Sequence, residues 1–197
     1  MNKRHPPELP GFLREAGLEG DADLREAFSA LTPPTRQPPQ LLRERLLATV
    51  ARPRLRFAPL FGKLGELFDL SDTDLAGIFE RAAQPGAWAV SPIPGTQLLH
   101  LTCGPRVAHA DNGLVKLAAG ARFPMHRHLG LERVLVLEGG YRDEQSGGCY
   151  LPGDLHEMQA ATSHAYVALS GRELLFAVSV VAGVDVDGFG TLSPAAG

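Results

Sequence analysis

The apolar residues of this chain change rhythm near residue 84, and that change constrains the fold more than any other feature. Before it they recur at helical spacing; after it they fall into short runs broken by glycine-rich turns. The runs are "TQLLHL" (96–101), "GLVKLAAG" (113–120), "RFPMHRH" (122–128), "ERVLVLEGGYRDE" (132–144), "CYLPGD" (149–154), "HAYVALS" (164–170) and "LLFAVSVVAGV" (174–184). Turn signals separate them at 146–148 (SGG), 152–154 (PGD) and 170–172 (SGR). Evenly spaced short strands of this kind predict a β-sandwich or barrel.

The helical part has its own punctuation. "DADLREAFSAL" aligns Leu24, Phe28 and Leu31 behind an Asp21 cap, and the proline-rich linker 32–39 then breaks the chain. Further helices are expected in "LLRERLLATVA", with Leu42, Leu46 and Val50 in line, in "FAPLFGKLGELFDL", and in "SDTDLAGIFERAA", where Ser71 and Asp74 form a short capping box. The expected organisation is a flexible tail over 1–20, a helical region over 21–84, a β-domain over 85–186 and a second tail over 187–197. The helices serve either as a partner-binding arm or as a lid on the β-domain.

With 44% hydrophobic and 21% charged residues, the 197-residue chain can bury a real core. A net charge of −3 supplies no basic field, which argues against direct nucleic-acid binding. No apolar run is long enough for a membrane helix and no signal-peptide core follows the N-terminus, so a cytoplasmic protein is expected. Cys103 and Cys149 form no CxxC pair and read as reduced, structural thiols.

Within "GARFPMHRHLGLERVLVLEGG" (120–140), alternation along a strand sends His126 and His128 to one side and Arg127 to the other. Glu132, Val134 and Val136 share a face after the bend at Leu129 and Gly130. Two imidazoles and a carboxylate meeting inside a barrel would suit Fe(II), Zn or Mn. A buried glutamate without such a partner would be costly. His156 reads as a packing or surface residue, and His5, His100 and His109 have no partner at ligand spacing. Glu138, Asp143 and Glu144 read as a solvated edge beside the "GGY" turn. Tyr141, Tyr150, Tyr166 and Met125 either line a pocket mouth or pack in the core. No catalytic residue is assigned, and Arg106, Arg122 and Arg133 have no evident role.

The spacing from Gly120 to His126, His128, Glu132 and Gly139 resembles the first cupin motif, and "GDLHEMQAATSH" (153–164) matches the second in spacing. The resemblance implies a cupin double-stranded β-helix, a jelly-roll barrel preceded by an α-helical region, and supplies His164 as a fourth ligand. Gln159 and Ala161 stand where that family usually has proline and glycine. The wording around the motifs, from Trp88 to about Val184, is similar to the C-terminal cupin of the ChrR family of anti-sigma factors. That resemblance implies one divalent metal ion, zinc first with iron, manganese and nickel as alternatives, and a response to oxidants in transcription control. It also implies an extracytoplasmic-function sigma factor as partner. The family's N-terminal zinc set, a histidine and a CxxC pair, is absent from 1–84. Small cupins of similar sequence include metal-dependent dioxygenases acting on diketone-like substrates, which is the competing expectation. Cupins also commonly form homodimers.

Overall fold

The computed structural model describes residues 40–50 and 56–192. The expected tail over 1–20, the helix at 21–31, the linker 32–39 and the last residues from 193 lie outside that set. The chain divides into two units, Met1–Thr49 and Val50–Gly197. Helix α1 (Gln40–Val50) spans the end of the first. Gln40 Nε2 donates to Glu44 Oε1 one turn on, at 3.0 Å.

The second unit begins with a 3-10 turn (Ala58–Leu60), helix α2 (Phe61–Phe68) and helix α3 (Asp72–Ala82). Ser71 caps α3 as its sequence predicts: its hydroxyl accepts from the Asp74 amide, and the Asp74 carboxylate accepts from the Ser71 amide, each at 3.3 Å. Asp69 ends α2 in the left-handed region, and its carboxylate accepts from the Arg106 amide (3.1 Å) and Nε (2.7 Å), tying the helix to the loop before β3.

Among the described residues, twelve strands follow in two antiparallel six-stranded sheets. The first has the order β1-β2-β3-β10-β5-β8: β1 (Ala89–Val90), β2 (Thr96–His100), β3 (Ala110–Leu117), β10 (Leu174–Val181), β5 (Glu132–Glu138) and β8 (Leu155–Met158). The second runs β12-β11-β4-β9-β6-β7: β12 (Gly190–Leu192), β11 (Val184–Val186), β4 (Arg122–His128), β9 (Ser163–Ala168), β6 (Tyr141–Asp143) and β7 (Cys149–Tyr150). The fold is mainly β, with its described helices N-terminal to the sheets, as the strand pattern and the cupin spacing imply.

Strand β5 shows how the layers are joined. "VLVL" alternates between two cores: Val134 and Val136 enter a cluster with Tyr141, Tyr166, Phe176 and Met158 between the sheets. Leu135 and Leu137 enter the other, with Phe57, Phe61, Leu64, Leu67, Phe68, Leu75 and Phe79 of the helical segment. Strand β10 does the same, with Leu174 and Phe176 facing inward and Leu175 and Ala177 toward the helices. A strand buried on both faces reads as an unbroken apolar run. Helices α2 and α3 are therefore a lid on the first sheet, their apolar faces packed against Leu135, Leu137, Leu175 and Ala177.

After residue 186 the described chain turns back: β12 pairs with β11, and β11 pairs with β4 through Val184 opposite His128 and Val186 opposite His126. The turn between them carries Gly188 and Gly190 at positive φ, which lets so short a segment reverse. Leu64, fully buried between lid and sheet, is the sharpest probe of this packing. Leu64→Ala is expected to lower the unfolding free energy of the whole unit by about 2–5 kcal/mol, with helices and strands lost in a single denaturant transition. Helix signals melting before the strands would contradict a shared core.

Candidate metal centre

Strands β4 and β9 lie side by side, with His126 directly opposite His164. Between Phe123 and His126 the register shifts, with one more residue on β4 than on β9, so Pro124 sits in a bulge where its missing N–H breaks no ladder bond. The bulge matters for aim. Phe123 and His126 are three apart and would point to opposite faces of a regular strand; here Phe123 stacks on the inward Tyr166, with centroids 5.0 Å apart, and His126 also points inward. Gly130, in the bend between β4 and β5, comes so close to Val181 that a Cβ would lie 2.4 Å from its carbonyl oxygen, so no other residue fits there.

One ring nitrogen from each of His126, His128 and His164 lies within 4.8 Å of the other two. The three residues are 3%, 1% and 5% exposed. Hydrogen bonds to Nδ1 set their orientation: His126 Nδ1 bonds the Pro124 carbonyl (3.0 Å), His128 Nδ1 bonds Thr162 Oγ1 (2.9 Å) and His164 Nδ1 bonds Asp143 Oδ2 (2.5 Å). A carbonyl and a carboxylate can only accept, and the Thr162 hydroxyl already donates to the Gln159 carbonyl at 2.6 Å. Each Nδ1 therefore carries the proton and each Nε2 keeps its lone pair. Nε2 of His128 and of His164 is buried with no hydrogen-bond partner. A buried unpaired acceptor is destabilising, and lone pairs gathered at one point are what a divalent cation requires.

Electrostatics point the same way. Burial, and then the neighbouring His164, lowers the pKa of His126 to about 3 and that of His128 to about 4. Both stay neutral and able to coordinate across the physiological range. Glu132 opens β5 and is 8% exposed, with Oε2 3.4 Å from His128 Nε2. It lies beside the compact three-histidine group rather than within it, and burial raises its carboxyl to about 7. A cavity of about 110 Å³ adjoins His126 and Glu132, walled mainly by Leu98, Val115, Phe123, Phe176 and Val180, with Tyr166 on one side.

The structure corrects the placing of Asp143 on a solvated edge. It is 3% exposed and holds His164 from behind, because the Tyr141–Arg142–Asp143 alternation turns residues 141 and 143 inward. Burial opposes its ionisation, but bonds from the Ser146 amide and from His164 outweigh this and hold its carboxyl below the usual range. The alternation in "YRD" was the available signal; nothing in sequence marked Thr162. Glu138 and Glu144 do lie nearer the surface, paired with Arg56 and Arg172 and with Arg122 respectively. Arg106 pairs with Asp69 and Arg133 with Glu157, so none of the three unassigned arginines faces the site. His156 is buried against Tyr141, and His100 pairs with Asp111 near the surface. Ala161, in the turn where a cupin usually has glycine, sits at φ 66, a strained position whose amide bonds the His128 carbonyl at 2.9 Å.

Two antiparallel sheets with histidines gathered on their inner face define the protein as a cupin with a candidate metal site. The model of the ChrR Cupin-like domain matches residues 82–181, about half of the chain, and the chain belongs to that family. A comparison with curated proteins found no match. Among solved structures, the chain is similar to Rhodobacter sphaeroides SigE in complex with the anti-sigma ChrR, at 23% identity over 86% of this chain and 79% of that one, TM-score 0.48. It is also similar to an acetylacetone dioxygenase from Acinetobacter johnsonii (13% identity, 57% and 79% covered, TM-score 0.46) and to KdgF from a Halomonas species (25%, 47% and 84%, TM-score 0.39).

Two outcomes are expected of the site. Asp143→Ala should weaken metal binding by about 10–100-fold while the circular dichroism spectrum is kept, since it frees His164 without removing a ligand; a chromophoric chelator in competition measures this. In the metal-free protein, His126, His128 and His156 (lowered to about 4 by burial and then by His164) have folded pKa values below the unfolded value of about 6.5. Their contribution to stability is present above pH 6.5 and is lost as pH falls toward 4. Glu132, raised from 4.5 to about 7, acts oppositely over 4.5 to 7. Urea unfolding with chelator present should show stability falling from pH 6.5 to 4.5, and falling more steeply in Glu132→Gln.

Proposed function

We propose that this chain is a metal-binding cupin regulator of the ChrR type, acting in the cytoplasm with an extracytoplasmic-function sigma factor. His126, His128 and His164 through Nε2, with Glu132 beside them, would hold one divalent ion, zinc before iron, manganese or nickel. The observation that carries the reading is the set of Nδ1 hydrogen bonds that leaves buried Nε2 lone pairs converging within a ChrR Cupin-like domain. A bound ion would supply a Lewis-acidic centre with exchangeable positions at the floor of the apolar cavity.

The protein's own part is to convert a change at that floor into a change at its surface. Glu132 is the first residue of β5, and Leu135 and Leu137 of the same strand carry the helical lid. A shift of the Glu132 carboxylate moves the strand on which Phe57, Phe61 and Leu64 rest, so the lid is the element a partner would read. The cavity also favours a second reading, a dioxygenase for a small diketone-like substrate, because its apolar walls and volume of about 110 Å³ would accept a small neutral molecule.

Elemental analysis and a pull-down from the source cell separate these readings. Zinc in the purified protein, and a sigma factor retained by wild type but released by singlet oxygen or by His126→Ala/His128→Ala, is the expected result. Retention of no regulator, together with oxygen consumption by the iron-loaded protein on a diketone, would replace the regulator with the enzyme.

A further inference from the structure

The chain has three tyrosines, and all of them stand in one file that begins at the histidine site. Tyr166 is the inner member: its ring lies 5.6 Å from that of His164, and it forms part of the cavity wall. Tyr141 follows at 4.9 Å from Tyr166, and Tyr150 at 5.0 Å from Tyr141, stacked at 24°. Tyr141 and Tyr166 are 2% and 6% exposed, whereas Tyr150, on the edge strand β7, is only partly buried. The file thus runs from the interior to the protein surface without a gap between rings.

The sheet builds this row. Tyr150 on β7 is the register partner of Tyr141 on β6, and Tyr166 on β9 lies one position diagonally from Tyr141 through the pairing of Asp143 with Tyr166. Core packing alone would be served by phenylalanine at all three positions. What phenylalanine would lack is the buried bond between the Tyr141 hydroxyl and His156 Nδ1, at 2.9 Å. In the His156 tautomer that carries its proton on Nε2, the Tyr141 hydroxyl donates to the Nδ1 lone pair. His156 is held in turn by stacking on Tyr150, with centroids 4.0 Å apart and 14° between planes. A tyrosine gives up an electron readily only when its proton has somewhere to go, and of the three this arrangement equips Tyr141.

We propose that Tyr141 and Tyr150 form an electron relay between the buried end of this file, beside the histidine site, and the surface, with His156 as the proton acceptor of Tyr141. A one-electron oxidant at the surface takes an electron from Tyr150, whose phenolic proton passes to solvent. An electron from Tyr141 then refills Tyr150, which recovers a proton from solvent, while the Tyr141 proton moves along its hydrogen bond to His156 Nδ1. The net change is one electron lost by Tyr141 to the oxidant and one proton transferred within the pair, leaving a neutral tyrosyl hydrogen-bonded to an imidazolium. The relay goes beyond the regulatory reading and needs neither a partner nor a bound metal.

The test is flash oxidation of the full-length, metal-free protein with photogenerated tris(bipyridine)ruthenium(III), followed by transient absorption and electron paramagnetic resonance. Wild type should give a long-lived tyrosyl signal, and Tyr141→Phe should lose the long-lived component and keep only the short-lived one of Tyr150. His156→Phe, which preserves the stacking on Tyr150, should lose it as well. Tyr150→Phe should slow the appearance of the signal. An exchangeable deuteron coupled to the wild-type radical, read by double-resonance spectroscopy in heavy water, tests the bond to His156 without any variant. The same long-lived radical in Tyr141→Phe, or a wild-type radical without that deuteron, would overturn the proposal. Because sigma-factor retention is not measured, failure here leaves the regulatory reading untouched, and the reverse holds.

Discussion

The double burial of strands β5 and β10 governs this molecule. Each sends alternate residues into two separate cores, one between the sheets and one beneath the helical lid. Side-chain alternation makes the two cores inseparable, since sliding either strand by one residue would exchange the two sets of apolar contacts. The interior is thereby held in a fixed position relative to the helical layer, and Glu132, at the head of β5, is fixed with it.

The site rests on that frame but is tuned by polar groups of quite different origin. A proline carbonyl exposed by a bulge, a threonine hydroxyl in a strained turn and a buried carboxylate each take one Nδ1 proton. Each bond orients a ring and selects its tautomer, so the lone pairs are arranged before any ion arrives. Burial then keeps His126 and His128 neutral, which removes the protons that would compete with a cation.

Much of this was legible in the sequence, and the parts that were not share a cause. The HxH alternation and the cupin spacing pointed to His126, His128 and His164, and the apolar runs to the strands. Asp143 was misplaced because an acidic residue beside a "GGY" turn usually faces water; the "YRD" alternation sets it inward, and the fold then brings it to His164. Thr162 and Pro124 act through a hydroxyl and a main-chain carbonyl, which composition does not reveal. The segment from residue 187 was read as a tail because "DGFGTL" carries few apolar residues, whereas β12 pairs with β11 in a hairpin and so backs the strand that bonds to β4. The helical segment was legible as helices, with a lid on the β-domain as one of two readings, since a helix's own periodicity does not say which surface will cover its apolar face.

That hairpin has a consequence for the order of events during synthesis. Strand β4 carries His126 and His128, yet its partner on one side is β9, with His164, and on the other β11, secured by β12 up to Leu192. A ribosome delivers these segments in sequence, so the two histidines of β4 emerge well before either neighbouring strand exists. Until then the two imidazoles lack the walls that bury them in the folded protein. The enclosed geometry, and any selectivity it confers, belongs only to the chain that has been completed through residue 192 and folded.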